Sequence, residues 1–220
     1  MLTLRLNAIL NYIDSSDTVA DIGTDHGYLL EACLLKGVKF VQGVENKEGP
    51  YLRAKTNLIE YLNNGKAILS LSDGLSFLDS RIDTAVIAGM GGELIRDIID
   101  ASLPTAKQLK KLVLEPNIKS YELRKYLSDY KFEIVDEDVV FDKEKYYEII
   151  VVKYNEFTAK LTDKECLFGP VLLKKRPKMF INKWNDRVKQ LRLICDSSSV
   201  KLENLENDIK VIMEVMHNES

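Results

Sequence analysis

The chain has 220 residues, 45% hydrophobic and 30% charged, which excludes a disordered chain and leaves room for one domain of about 150 residues with a smaller one beside it. No apolar run approaches the roughly 18 residues of a membrane helix, and the N-terminal "MLTLRLNAILNYID" carries Arg5 in an amphipathic pattern without a small-residue cleavage site, so neither a membrane span nor a signal peptide is expected. The net charge of −3 is unevenly divided, with 19 Lys+Arg against 24 Asp+Glu in residues 1–154 and 12 against 10 in residues 155–220.

Along the chain, short apolar runs alternate with helical patterns. Strands are expected at "TVADIG" (18–23), "FVQGVE" (40–45), "AILSLSD" (67–73), "TAVIAG" (84–89) and "KLVLEP" (111–116). Between them, "GYLLEACLLKG", "GPYLRAKTNLIEYLN" and "GELIRDIIDASL" carry apolar residues at helical spacing, whereas "GLSFLDS" does not. Strands that are apolar throughout, separated by helices, indicate a parallel sheet covered on both faces. After Pro116 come one more helix, "SYELRKYLSDY", and two strand-like runs, "FEIVDEDVVF" and "YYEIIVVKY", joined by "DKEK". A polar link that short makes the last pair antiparallel. The expectation is a doubly wound sheet with one antiparallel edge strand. Beyond Tyr154, "KMFINKWNDRVKQLRLIC" and "VKLENLENDIKVIMEVM" fit two helices, with "DSSS" as turn and N-cap material between them. A sheet domain over 1–154 and a helical domain over 155–220 follow.

The first strand runs into "DIGTDHG". In a parallel sheet, ligands bind beyond the carboxyl ends of the strands. Gly23 and Gly27 there let backbone N–H groups approach a ligand at a helix N-terminus. The dinucleotide fingerprint GxGxxG is absent. The spacing Asp-x-Gly-x-x-x-Gly instead fits the first motif of methyltransferases that use S-adenosylmethionine, with Asp25 where a middle glycine often stands. This cofactor is a sulfonium cation without phosphates, so Asp21 and Asp25 do not repel it. Glu45, ending the second strand, suits two ribose hydroxyls. Asp73 and Gly74 end the third strand, where the adenine is commonly met. "AGMGG" (88–92) ends the fourth, a bare loop where a methyl acceptor could approach. Ordinary turn chemistry would supply the same residue types singly, but four successive strand ends carry them here.

Taken together, "ADIGTDHGYL", "ENKEGPYLRA", "SDGL", "IAGMGGELI", "LVLEPN", "KYYEII" and "FGPVLL" resemble the bacterial tRNA (adenine-N1)-methyltransferases of the TrmK type, from about Leu4 to Leu173. The resemblance implies a Rossmann-like, class I fold with a seven-stranded, mostly parallel sheet ending in an antiparallel hairpin, followed by a coiled-coil-like helical domain. It implies cofactor contacts at Asp21, Gly23, Asp25, Gly27, Glu45, Asp73, Gly74, Ala88 and Gly89. It places Asp25, His26, Tyr28 and Met90 in positioning roles, with no general base. Gly91, Gly92, Pro116 and Asn117 fall to the substrate, adenine 22 of a tRNA by the resemblance, while Lys174, Lys175, Arg176 and Lys178, beyond the matched stretch, are candidates for tRNA contact on their charge alone. Gly27 stands where Ala is usual, Asn46 where the family tends to an apolar residue, and Glu115 where Gln precedes Pro-Asn.

His26 reads first as an N-cap-like group bonded to the loop backbone, with a contact to the methionine end of the cofactor or to the target base as the alternative. A catalytic triad or metal site is not expected, because the other His is the distant His217 and the three cysteines form no CxxC. The same cysteines argue against disulfides and for the cytoplasm. Eight basic residues face one acid, Asp186, within 174–192; a solvated helix and an RNA contact would both show this. The expected partner is tRNA, with no membrane, no metal and a monomeric chain. The rivals are a methyltransferase of small molecules and a non-enzymatic RNA-binding protein with a decayed pocket.

Overall fold

The structure is a computed structural model that describes residues 2–198, 200 and 202–217. In chain order its first elements are α1 (Leu4–Asn11), β1 (Val19–Ile22), α2 (Tyr28–Leu35), β2 (Val41–Glu45), α3 (Glu48–Asn57), α4 (Ile59–Asn63), β3 (Ala67–Leu71), β4 (Thr84–Met90) and α5 (Gly92–Ala101). There follow α6 (Leu103–Gln108), β5 (Lys111–Pro116), α7 (Ser120–Asp129), β6 (Phe132–Asp142), β7 (Lys145–Tyr154), α8 (Asp163–Phe168), α9 (Pro170–Lys175), α10 (Lys178–Ser197) and α11 (Glu203–His217).

All seven strands form one sheet in the order β3-β2-β1-β4-β5-β7-β6. The first five are parallel, and β7 runs antiparallel to both β5 and β6. The antiparallel strand is therefore not the edge strand the sequence suggested. The hairpin turns through Lys143 and Glu144, both at positive φ, which suits a tight connection. Its second strand is buried from Glu148 to Val152 and so takes the interior place, while β6, only partly covered, is left at the edge. Both faces of the sheet are packed. Ile95, Ile99, Leu123 and Leu127 cover one; Ile9, Leu30, Cys33 and Leu58 cover the other.

The helix expected over 49–63 is interrupted at Leu58, whose backbone (φ −100°, ψ 11°) leaves α3 as its side chain enters the core. The chain divides into two compact units, Met1–Lys174 and Lys175–Ser220, so the sheet unit extends past the expected end at Tyr154. The physical reason is a buried charge cluster. Glu137 of β6 accepts from the Val171 and Leu172 N–H groups at 2.8 and 3.3 Å. Arg124 of α7 donates to Glu137 at 2.7 Å and to the Cys166 carbonyl at 3.3 Å. Cys166, Phe168 and Leu172 are buried there.

In the second unit α10 buries Phe180, Trp184, Val188 and Leu191 along one face, and α11 buries Ile212 and Val215. Arg176 donates to the Val215 and Met216 carbonyls at 3.0 and 2.9 Å, so α11 returns antiparallel to α10 and its last turn is capped. Among the described residues, no helix is long and apolar enough to cross a membrane.

Candidate active site

The order of the sheet reverses at β1, which lies between β2 and β4, and a crevice opens beyond the strand ends at such a point. A cleft of about 640 Å³ lies there, lined by Gly23 and Asp25 after β1, Glu45 to Lys47 after β2, Ser72 to Gly74 after β3, and Ala88 to Met90 at the end of β4. Backbone donors clamp the Glu45 carboxylate: Oε2 accepts from Asp25 N–H at 3.3 Å, and Oε1 from Asn46 and Lys47 N–H at 3.1 and 3.2 Å. Asp25 adopts φ +46°, the left-handed conformation for which glycine is the usual solution and which Asp tolerates. Its carboxylate is held by Arg53 at 2.8 Å. Asp21, in β1 itself, is buried; burial pushes its carboxyl up to about 6, with the Glu45 charge adding to the effect.

A second arrangement lies on the other side of the β4 end. Gly89, at φ +76°, donates its N–H to Glu115 Oε2 at 2.8 Å. Arg5 Nη1 from α1 donates to the same oxygen at 2.7 Å, and the guanidinium Cζ lies 5.4 Å from the centre of the Tyr147 ring. Glu115 is wholly buried, and burial raises its pKa against the pull of Arg5. Arg5 and Gly89, with Asn117, Asp142 and Tyr147, line a polar cavity of about 270 Å³. Gly89 lines both cavities.

The model of the TrmK family, tRNA (adenine(22)-N(1))-methyltransferase, matches residues 19–219. The chain belongs to this family. The tRNA (adenine(22)-N(1))-methyltransferase of Bacillus subtilis is 29% identical over 217 residues, covering 96% of this chain and 91% of that one. The crystal structure of the B. subtilis m1A22 tRNA methyltransferase TrmK superposes with a TM-score of 0.83 at 27% identity, covering 98% and 99% of the two chains. A candidate tRNA (m1A22) methyltransferase of Streptococcus pneumoniae, in complex with S-adenosyl-L-methionine, superposes with a TM-score of 0.89 at 31% identity, covering 99% and 100%. As a TrmK protein the chain is an S-adenosylmethionine-dependent methyltransferase that modifies adenine N1 in tRNA. The residues fit that donor: Asp25, Glu45, Asp73 and Asp97 line the larger cleft against a single lysine, Lys47. Such a wall attracts a cation and its ribose and repels a polyphosphate.

Of the residues expected at this TrmK site, Gly23, Asp25, Glu45, Asp73, Gly74, Ala88, Gly89 and Met90 come together in one cleft. Asp21 lies in the strand beneath it. Gly27 does not line it: a Cβ there would stand 2.9 Å from Leu58 Cδ1, so this position serves helix packing. His26 and Tyr28 are also outside the cleft, stacked on each other with ring centres 5.2 Å apart. The His26 ring does not cap α2; Gly27 occupies the N-cap, and the His26 carbonyl accepts from Asn57. Asn117 lines the smaller cavity, whereas Gly91, Gly92 and Pro116 line neither cavity; Asn117 N–H donates to Met90 O at 2.8 Å and Gly92 N–H to Ile118 O at 2.9 Å. Lys174, Lys175 and Lys178 are exposed, whereas the Arg176 guanidinium is committed to α11. Arg5 and Arg53 were missed by the sequence reading. The acid at position 115 was the available signal, since a buried carboxylate calls for a cation.

Proposed function

We propose that Glu45 holds the ribose hydroxyls of S-adenosylmethionine, that Asp73 and Gly74 flank its adenine, and that Gly23, Asp25 and Ala88 face its methionine and sulfonium end. The target adenine then approaches across Gly89, Met90 and Gly91. The observation that supports this most directly is the clamped Glu45 carboxylate, held by three backbone N–H groups in the wall of the cleft. When bound, the cofactor supplies an electrophilic methyl group. Adenine N1 has an in-plane lone pair and no proton, so attack asks for alignment rather than proton removal. This chain's contribution is to set the base in line at about 3–3.5 Å, an effect worth up to roughly 7–11 kcal/mol. If N1 is paired or stacked in the tRNA, exposing it costs a few kcal/mol, which contacts elsewhere on the tRNA must offset.

The exposed Lys174, Lys175 and Lys178 supply a surface for tRNA phosphates beside the catalytic unit's own contacts. A monomer acting in the cytoplasm, without a metal, completes this reading. Glu45→Ala tests it. Cofactor affinity measured by calorimetry should fall about ten- to a hundredfold, roughly 1.4–2.7 kcal/mol, with the melting temperature retained. Unchanged affinity in a folded variant would remove Glu45 from the site. Methylation of tRNA but not of free adenosine separates this function from small-molecule chemistry.

A further inference from the structure

Adenine N1 is the nucleophile, so the Watson–Crick edge of the target base has to face the methyl donor. The other edge, which offers the N7 acceptor and the N6 amino donor, is then open to be read by the protein. A side-chain amide matches that pair with two bonds. Asn117 presents such an amide where it is needed. Its backbone N–H is tied to Met90 O at 2.8 Å, which seats it against the loop after β4. Its side chain is exposed and makes no hydrogen bond among the described residues.

Asn117 lines the cavity of about 270 Å³ that meets the larger cleft at Gly89. None of the other side chains lining that cavity, Thr3, Arg5, Asp142, Lys143 and Tyr147, offers a donor and an acceptor on two separate atoms. Asp142 Oδ2 accepts the Arg5 N–H at 3.3 Å. The Arg5 guanidinium is fixed on Glu115 at 2.7 Å. Lys143 can only donate and cannot accept from an amino group.

We infer that this smaller cavity seats the target adenine and that Asn117 determines specificity, with Nδ2 donating to N7 and Oδ1 accepting from the N6 amino group. The inference rests on the proposal that the base approaches across Gly89. Arg5 is a positioning residue: it fixes the buried Glu115 and walls the cavity without touching the reacting atoms.

The test uses the full chain and a synthetic tRNA with 7-deaza-adenosine at the methylated position, which removes only the N7 acceptor. With this substrate the wild-type kcat/KM should fall about ten- to a hundredfold. Asn117→Ala should lose a similar factor on ordinary tRNA and little more on the 7-deaza substrate, because the same contact is already gone. Its cofactor affinity and melting temperature should match the wild type. The assignment is overturned if the wild type methylates both substrates equally, if Asn117→Ala is fully active, or if the two losses multiply. A wild-type chain that methylates no tRNA adenine would overturn the functional reading as well, which separates the two failures.

Discussion

Asp21 is an acid buried within β1, beneath the cleft. Burial pushes its carboxyl up to about 6, above the unfolded value, so the folded state binds this proton more tightly than the unfolded one. The contribution to stability is therefore full below about pH 4 and is lost as pH rises through 6, a loss on the order of 3 kcal/mol. Asp21→Asn removes that loss. Its melting temperature should exceed the wild type's at pH 7.5 by roughly 5–10 °C, with the difference closing near pH 4. A difference independent of pH would show that Asp21 is not the titrating group. Acids at strand ends, Asp21 and Glu45 among them, were legible in the sequence because the fold dictates where strand ends converge. Arg5 was not, because its partner Glu115 lies 110 positions away and no local pattern connects them.

The N-terminus of α5 distinguishes two adjacent glycines that look alike in "AGMGG". A Cβ on Gly92 would stand 2.4 Å from the Lys119 carbonyl oxygen, whereas one on Gly91, at φ −70°, would meet Ile118 at an ordinary 3.7 Å. Gly92→Ala should therefore cost about 1–3 kcal/mol by overpacking, read in denaturant unfolding. Gly91→Ala should fold normally and bind cofactor, yet turn over more slowly if the acceptor base passes this loop. If its cofactor affinity falls as far as its turnover, the loop serves the cofactor instead. Strands β1 to β5 were legible since continuous apolar runs between helices have few other solutions. The short α8 and α9 were not. Six residues give too little periodicity, and the segment is held by the side chain of Glu137 rather than by a stripe of its own. Removing Arg124 would leave Glu137 and Glu148 facing each other in the core, so Arg124→Ala should destabilise the sheet unit by about 3–5 kcal/mol. A loss below about 1 kcal/mol would mean that these carboxylates are accommodated without it.

At the scale of the whole chain, the division after Lys174 changes how the basic stretch is to be tested. The sequence treats Lys174, Lys175, Arg176 and Lys178 as equivalent, but Arg176 caps α11, and replacing it would confuse loss of RNA contact with loss of packing. The informative variant is Lys174→Ser, Lys175→Ser and Lys178→Ser together, with Arg176 kept. Each phosphate contact contributes about −0.7 to −0.9 to the slope of log affinity against log salt. If all three lysines meet phosphates, the slope for tRNA should flatten by about two units, with turnover at saturating tRNA little changed because the reacting cleft lies in the sheet unit. An Arg176→Ala variant should instead lower the melting temperature, since two carbonyls at the end of α11 lose their donors. A triple variant that keeps the wild-type salt slope would make the lysines a solvated face and leave tRNA binding to the sheet unit and the rest of the helical arm.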